Sequence, residues 1–239
     1  MIRHAIHLAA LASIAVAFTA SPAVAATGAS VVETEVTRTA LLLTLLAIIP
    51  AMIVSTTSFL RIVIVLAMVR HAFGMPQTPP NVVLTSLALF MTAFLMGPTL
   101  ERVNQDALQP FLDGRASVDQ TMERGSGPLR EFMLANTRER DIEMVYSIAR
   151  APLPRTADEV SLLKLIPAFM LNELRVAFTI GFVVLLPFLL IDLIVSSILL
   201  SLGMMMVPPA TISLPIKVLM FVLIDGWGLV LEGLLGSFA

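Results

Sequence analysis

The chain of 239 residues contains no cysteine and few charged residues. Without cysteine it can form no disulfide, no thiolate metal site and no cysteine nucleophile. Charged residues make up 13% of the chain and hydrophobic residues 57%, whereas soluble domains carry about a quarter charged residues. The mean hydropathy is +0.92. This composition indicates a membrane-associated protein, and the net charge of −2 gives no reason to expect a nucleic-acid partner.

Recognisable catalytic motifs are also missing. The sequence has no His-Glu-x-x-His metal motif, no Gly-x-Ser-x-Gly nucleophile motif and no glycine-rich phosphate loop. Of its three histidines, His4 and His7 lie near the N-terminus, and His71 lies in a proline-rich turn. No nucleophile therefore has a plausible base nearby. We predict that the chain is not an enzyme and uses neither a cofactor nor a metal ion.

The N-terminus has the three parts of a secretory signal. Arg3 precedes an apolar stretch over residues 8–18, and Ala23-Val24-Ala25 supply an A-x-A cleavage pattern. Eleven apolar residues are few for a membrane span, which needs about 20. We therefore predict a cleavable signal peptide over residues 1–25, after which the mature chain begins outside the cytoplasmic membrane of a bacterium. A retained N-terminal anchor is the alternative.

Four apolar segments follow, over residues 40–69, 82–96, 162–202 and 210–238. Thirty residues of helix measure about 45 Å, so the first and third segments exceed one perpendicular span of a bilayer core about 30 Å thick. Each must tilt, break or leave the membrane. Residues 70–80, rich in Gly and Pro, connect the first two segments into a helical hairpin. The predicted fold is all-α, with long, broken helical hairpins in a single domain over residues 26–239.

Residues 101–159 carry most of the charge. They hold eleven acidic residues and eight arginines, which are 19 of the 32 charged residues of the chain, and are therefore predicted to face water. Helix-breaking residues interrupt the first half, namely Pro110, Gly114, Gly125, Gly127 and Pro128. Residues 129–149 have the apolar spacing of one amphipathic helix. Such a helix would pack on a partner; the alternative is a solvated loop.

Three consecutive methionines lie between the third and fourth apolar segments: Met204, Met205 and Met206. Gly203 precedes them and Pro208-Pro209 follow, which is helix-stopping chemistry at both ends. We therefore predict a loop. Methionine is unbranched and polarizable, so its side chain adapts to whatever lies against it. The loop is either a plain turn between apolar helices or a deformable seal.

Asp192 and Lys217 are charged residues inside the apolar segments on either side of this loop. Asp192 lies eleven residues before Gly203, and Lys217 lies eight residues after Pro209. If the segments fold back as antiparallel helices, both charges lie about 12 to 17 Å from the turn. An ion pair, within one subunit or between neighbours, avoids the several kcal/mol that a lone charge costs in apolar surroundings. Alternatively, each side chain extends to water or meets another group.

Glu173 is a carboxylate inside the third apolar segment. Arg175 lies two residues further on and hence on another helix face, so the two are not expected to pair. Glu173 should instead face a polar lumen or a cation from another segment. A proton relay is a weaker hypothesis, because no second carboxylate or histidine follows at a spacing that would continue it.

Five motifs, in this order, resemble the FliP family of type III secretion export-gate subunits. They are TTSFLR at 56–61, QTPPN at 77–81, GPLREFM at 127–133, GMMMVPPAT at 203–211 and DGW at 225–227. The resemblance covers almost all of residues 40–239. The signal peptide and the QTPP motif favour the flagellar branch over the virulence branch. A virulence-type gate subunit, an ion- or proton-conducting transporter subunit and a purely structural scaffold are the alternatives.

The resemblance implies an assembly and a location. In this family five copies assemble with FliQ- and FliR-type subunits into a helical pore complex, through which unfolded flagellar proteins pass. FlhA- and FlhB-type components and an ATPase belong to the same apparatus. The expected location is the bacterial inner membrane within the flagellar basal body, multi-pass by hydropathy. Much of the complex lies on the periplasmic side, so the four segments need not all span the membrane and residues 101–159 would be periplasmic.

The resemblance also implies roles for site residues. The three methionines match a flexible gasket around the closed channel and around the substrate when it is open. Phe132 matches an aromatic residue at the pore constriction, and Glu173 matches a carboxylate near it. Asp192 and Lys217 match positions implicated in assembly.

A second aromatic residue of the family falls at Val145, with Tyr146 next to it, so the side chain that completes the constriction is open. The implied mechanism is a passive gate. Its apolar constriction excludes ions by dewetting, and its thioethers seal around a passing chain.

Overall fold

The structure is a computed structural model that describes residues 43–44, 47–48, 50–75 and 77–238. Nearly all of these belong to the compact unit Pro50–Ala239, and the few earlier ones are helical and belong to the unit Met1–Ile49. The predicted signal peptide lies outside the described residues. Within the described part of the chain every regular element is a helix and none is a strand, which confirms the all-α prediction.

Helices of very different length make up the described part of the unit Pro50–Ala239. In chain order they are α1 (Pro50–Thr56), α2 (Phe59–Ala72), α3 (Asn81–Leu95), α4 (Gly97–Leu112, with a π-helical turn at Asn104–Leu108), α5 (Val118–Ala135), α6 (Glu139–Ile148), the 3₁₀ turn Ala157–Glu159, α7 (Leu162–Ser201), α8 (Pro209–Leu223) and α9 (Gly226–Gly236).

In three places, two successive helices meet at a sharp bend. The bend is 83° between α1 and α2, 65° between α3 and α4, and 65° between α8 and α9. At the first bend, the hydroxyl groups of Thr56 and Thr57 donate to the carbonyls of Met52 and Ile53, at 2.8 and 2.5 Å. Hydroxyls that bond back to these carbonyls compete with the helical ladder and favour a bend. The overlong first apolar segment is therefore broken.

The fourth apolar segment is broken as well, at Asp225. This residue has the left-handed backbone conformation, with φ of 50°, and separates α8 from α9. Only isolated residues adopt that conformation, so a right-handed helix cannot continue through it. The third segment, in contrast, is one helix of 40 residues that runs through Pro167 and Pro187. At 1.5 Å per residue, α7 is about 60 Å long.

Of the five residues predicted to break the charged stretch, four lie inside helices, so the prediction was wrong for them. Pro110 lies inside α4, and Gly125, Gly127 and Pro128 lie inside α5. A capping box of Ser117 and Gln120 begins the helix. A Cβ on Gly125 would lie 3.3 Å from the Cβ of Ala107 in α4. Gly125 therefore allows α5 to pack closely on α4, and tertiary packing overrides the local preference.

The prediction of a single amphipathic helix over residues 129–149 is also wrong, because this stretch contains the end of α5 and all of α6. Asn136 and Thr137 follow α5, and their side chains donate to the carbonyls of Phe132 and Met133 at 2.9 and 2.6 Å. These side-chain bonds satisfy carbonyls that a continuing helix would have used. The helix α6 then begins at Glu139.

Two hydrophobic cores share the long helix α7. The first packs α2, α3, α8 and α9 around its middle, and its largest buried residues include Ile62, Leu66, Leu84, Met91, Phe188, Phe221 and Leu234. The second packs α5 and α6 on its beginning and contains Met133, Tyr146, Val160, Leu165 and Phe169. One helix therefore connects the apolar hairpins to the charged stretch.

Among the described residues, α7 is the one helix that is both long and apolar enough to cross a membrane by itself. The number of candidate spans rises to four if each bent pair counts as one. In the most apolar window of α7 only 17% of the residues are buried. Most residues of this window are therefore left uncovered by the rest of the described chain.

Candidate functional site

The predicted methionine loop lies between α7 and α8. Gly203 has a φ of +73°, and the amide N–H of Met204 donates to the carbonyl of Leu199 at 2.9 Å, which ends α7 in a left-handed C-cap. Pro208 caps α8 and Pro209 is its first residue, where a missing N–H costs nothing. Gly203 and Pro208-Pro209 therefore lie at the two ends of this loop.

The three methionines contribute little to the packing of the chain. Met204 is 43% exposed, Met205 is 80% exposed and Met206 is 96% exposed. A turn between two helices needs no large apolar side chain facing outwards, and exposed apolar groups together mark an interaction surface. The exposed side chains therefore favour a loop that contacts something outside this chain.

Asp192 of α7 and Lys217 of α8 form an ion pair within the chain. The Lys217 Nζ lies 2.6 Å from Oδ2 of Asp192 and donates a second hydrogen bond to the carbonyl of Ala72 at 3.3 Å. The Lys217 side chain is 6% exposed and the Asp192 side chain 41%. The helices fold back at the methionine loop so that the two charges meet. Whether the pair supports assembly stays a prediction.

Glu173 is fully buried, and its carboxylate is held by Arg61 of α2. Arg61 donates from Nε to Oε2 at 2.9 Å and from Nη2 to Oε1, so the pair is bidentate. Glu173 thus meets a cation from another segment, one of the two surroundings predicted for it. Sequence reasoning did not include Arg61 in the site. The available signal was that Arg61 is the one charged residue in the first apolar segment.

The same arginine contacts the residues that follow α9. Its Nη1 donates to the carbonyl oxygen of Ser237 at 2.7 Å and to Oγ of Ser237 at 2.9 Å. The guanidinium carbon lies 3.6 Å from the centroid of the Phe238 ring, which is a cation–π contact. Arg61 therefore connects α2, α7 and the segment Ser237–Phe238.

Phe132 of α5 lies in an aromatic cluster next to this pair. Its ring centroid is 6.4 Å from that of Phe238, with planes 20° apart, and 5.9 Å from that of Phe169, with planes 64° apart. The structure therefore brings Phe132 and Glu173 into one neighbourhood, although their place at a pore constriction stays a prediction.

Tyr146 belongs to the second core. It is 3% exposed, and its hydroxyl accepts a hydrogen bond from the amide N–H of Ser161 at 3.0 Å. The neighbouring Val145 is half-buried. In the single chain Tyr146 therefore packs inside, and which side chain completes the predicted constriction stays open.

Arg175 pairs with Asp141 of α6 and not with Glu173, as its helix face requires. The Arg175 Nη1 donates to Oδ2 of Asp141 at 2.9 Å, and Nη2 lies 2.7 Å from Oδ1. In the same region Nδ2 of Asn172 donates to the carbonyl of Asn136 at 2.6 Å. These contacts fix the end of α5 and all of α6 on α7.

A further ion pair joins α4 and α5 on the water-exposed side. The Arg102 Nη1 lies 2.6 Å from Oε2 of Glu131, and both side chains are more than half exposed. The hydrogen bond from Arg102, followed by its positive charge, lowers the pKa of Glu131 below its ordinary value. The pair is open to screening by salt, so it contributes little to stability.

Metal chemistry has no candidate site among the residues that the structure describes, since no three His, Asp or Glu side chains there are grouped to hold an ion. The chemistry of this region is instead that of buried ion pairs, aromatic contacts and exposed thioethers. Such groups can position helices and close an apolar passage.

Comparisons with known proteins point to one family. The FliP family model matches residues 42–234. The chain is 48% identical over 212 residues to the flagellar biosynthetic protein FliP of Caulobacter vibrioides, covering 89% of this chain and 79% of that protein. Identity to the protein of the same name is 50% in Pectobacterium carotovorum, covering 84% of this chain and 78% of that protein, and 44% in Bacillus subtilis, covering 83% and 90%.

Proposed function

Since the chain belongs to the FliP family, and hence to a family of flagellar biosynthetic proteins, we propose that it is a core subunit of the flagellar type III export gate. Its apolar helices and its family make it a membrane protein of the flagellar apparatus. In the proposed role the chain lines a channel for unfolded flagellar proteins and catalyses no reaction.

The methionine loop carries this proposal. Met205 and Met206 lie in the loop of the apolar α7–α8 hairpin, where they are 80% and 96% exposed and therefore contact little of their own chain. Several copies of such a loop around one axis form a ring of flexible thioethers, which excludes ions when it is closed. The ring adapts to the varied side chains of a passing polypeptide because the methionine side chain has many accessible conformations. The loop is the gasket of the gate.

Phe132 and Glu173 form a second constriction in this proposal. The aromatic ring supplies the apolar surface, and the carboxylate, already neutralised by Arg61, acts through the position of α7 rather than as a free charge in the channel. A titrating proton relay is disfavoured because the Arg61–Glu173 pair leaves the carboxylate no contact with water. The gate is therefore passive and takes its energy from other components.

The proposed assembly is a pentamer with FliQ- and FliR-type subunits, next to FlhA- and FlhB-type components in the bacterial inner membrane. The exposed apolar surface of α7 supports it, because a surface of this size needs lipid or other subunits to cover it. The mature chain would begin after a signal peptide over residues 1–25 and form one domain over residues 26–239. Residues 101–159 would lie on the periplasmic side.

Replacing Met204, Met205 and Met206 together by alanine tests the gasket. We expect cells that produce the variant with its partner subunits to leak ions through the inner membrane or to lose flagellar export, since alanine cannot fill the ring. The matched control replaces two exposed methionines of α5 and α6, Met122 and Met144, which lie on the charged stretch. The measurements are ion leakage and the amount of exported flagellar protein.

The abundance and native mass of the complex are measured in parallel. A triple variant that assembles normally, stays ion-tight and exports at the normal rate would show that the loop is only a turn. The gasket would also be contradicted if the control variant, with Met122 and Met144 replaced, leaked ions as strongly as the triple variant.

A further inference from the structure

The segment after α9 turns back onto the buried ion pair. Beyond Gly236 the backbone carbonyl and the hydroxyl of Ser237 both accept hydrogen bonds from Nη1 of Arg61. The Ser237 hydroxyl itself donates to the carbonyl of Leu234 at 2.6 Å, which joins the segment to the last turn of α9. The main chain of this segment is therefore held at a fixed position relative to α2.

Arg61 uses its guanidinium in two directions. Nε and Nη2 donate to Glu173 on α7, whereas Nη1 donates to Ser237. Neutralising the Glu173 charge requires only the first two contacts. The planar guanidinium presents its donors in fixed directions. The contacts of Nη1 therefore hold the segment Ser237–Phe238 in a defined position relative to the buried pair.

Phe238 connects the guanidinium of Arg61 to the ring of Phe132. The Phe238 ring lies against the guanidinium at 3.6 Å and is stacked with the Phe132 ring at 6.4 Å and 20°. Both contacts depend on the orientation of the Phe238 ring, because cations favour the ring face and aromatic pairs favour an offset stack. Phe238 is half-buried and also packs against the first hydrophobic core, so the position of its ring depends on that packing together with these two contacts.

We propose that Ser237 and Phe238 form a latch through which the buried Arg61–Glu173 pair holds Phe132 in the orientation that closes the constriction. Phe238 is thus a positioning residue of the gate and needs no contact with the passing chain. This proposal rests on the proposed function at one point, the role of Phe132 in the constriction.

A double-mutant cycle on the full-length chain, in cells that contain the partner subunits, tests the latch. The variants are Phe238→Leu, which keeps an apolar side chain but removes the ring, Phe132→Leu, and both together. Phe238→Tyr is the conservative control because it keeps the ring face. Ion leakage and flagellar export are measured together with the native mass of the complex.

We expect Phe238→Leu to raise ion leakage by about twofold to tenfold. This is the factor by which the loss of one aromatic pair shifts the equilibrium between the closed and the open constriction. Phe238→Tyr should leak as little as the unchanged chain. The double variant should leak no more than Phe132→Leu alone, because the latch acts only through Phe132.

The outcomes separate the latch from the proposed function. If Phe132→Leu leaks ions but Phe238→Leu does not, the latch is overturned while the constriction role of Phe132 is retained. Fully additive leakage in the double variant would have the same consequence. No leakage from Phe132→Leu would overturn the constriction role and the latch with it. If Phe238→Leu does not assemble, Phe238→Met takes its place in the cycle. Loss of assembly in both would assign Phe238 to the fold and overturn the latch.

Discussion

Two ion pairs inside apolar segments differ in how deeply their partners are buried. Arg61 and Glu173 are both inaccessible to water, whereas Asp192 keeps 41% of its side chain exposed beside the buried Lys217. A buried charge without a partner costs several kcal/mol, and an exposed one costs little. The effect of each substitution therefore depends on which partner it leaves behind.

Replacing Arg61 by methionine leaves the Glu173 carboxylate buried and unpaired. We expect the free energy of unfolding to fall by about 3 to 5 kcal/mol. The double variant Arg61→Met with Glu173→Leu should lose less than the sum of the single variants, since no charge remains buried. Thermal and denaturant unfolding of the full-length chain in detergent measures this. The control is Arg102→Met in the exposed pair with Glu131, which should change stability little. Equal losses from Arg61→Met and Arg102→Met would contradict the expectation.

The Asp192–Lys217 pair should respond asymmetrically. Asp192→Asn leaves the ammonium of Lys217 buried without its counter-charge, whereas Lys217→Met leaves a carboxylate that reaches water. We expect Asp192→Asn to lower the amount of assembled complex more than Lys217→Met does. Native electrophoresis of detergent extracts measures it. The reverse order would mean that the carboxylate, not the lysine, is the buried member in the assembly.

At the scale of helices, the breaks occur where side chains or backbone geometry compete with the helical ladder. Thr56 and Thr57 bond back to carbonyls at the first break, and Asp225 takes a left-handed conformation at the last. Conversely, Pro187 and Gly125 lie within helices that packing on neighbours supports. Each helix boundary therefore reflects both local chemistry and tertiary contacts.

Gly226 begins α9 directly after the break, where it allows Phe221 to pack. A Cβ on Gly226 would overlap the ring of Phe221, which is 5% exposed and held edge-on by Phe73 and Trp227. We expect Gly226→Ala to lower the free energy of unfolding by about 1 to 3 kcal/mol.

Gly233 of the same helix is the control, because a Cβ there has no neighbour within 4 Å. Gly233→Ala should preserve stability or raise it slightly, since alanine favours helix. Unfolding of both variants is followed by circular dichroism in detergent. Equal stability of the two would show that the ring of Phe221 moves aside at little cost.

For the whole molecule, the long helix α7 connects two cores of different character. Its beginning supports the charged α5 and α6, and its middle supports the apolar hairpins. Much of its apolar surface remains uncovered within one chain. An uncovered apolar surface of this kind marks a site of contact with lipid or with another protein.

Native mass spectrometry of the detergent-purified chain tests this at the same scale. When the chain is produced with FliQ- and FliR-type subunits, we expect a complex with several copies of it, because subunit contacts bury the exposed side of α7. The charged stretch should remain accessible to protease in that complex. A monomer without partner subunits would contradict the export-gate assignment.

Composition and motif order were enough to predict an all-α membrane-associated chain of the FliP family. The methionine loop, its glycine and its prolines were also predictable, because a left-handed glycine and paired prolines act within a few residues of chain. The meeting of Asp192 and Lys217 followed from their similar distances to that loop. These features depend on local chemistry or on one turn.

The tertiary structure alone decided which residues meet across more than one turn. Arg61 and Glu173 are 112 positions apart, and Arg61 and Ser237 are 176 positions apart, so no local spacing connects them. The course of α5 through Gly125 likewise depended on packing against α4. Burial of charge and close packing are properties of the assembled helices, because both depend on where water is excluded.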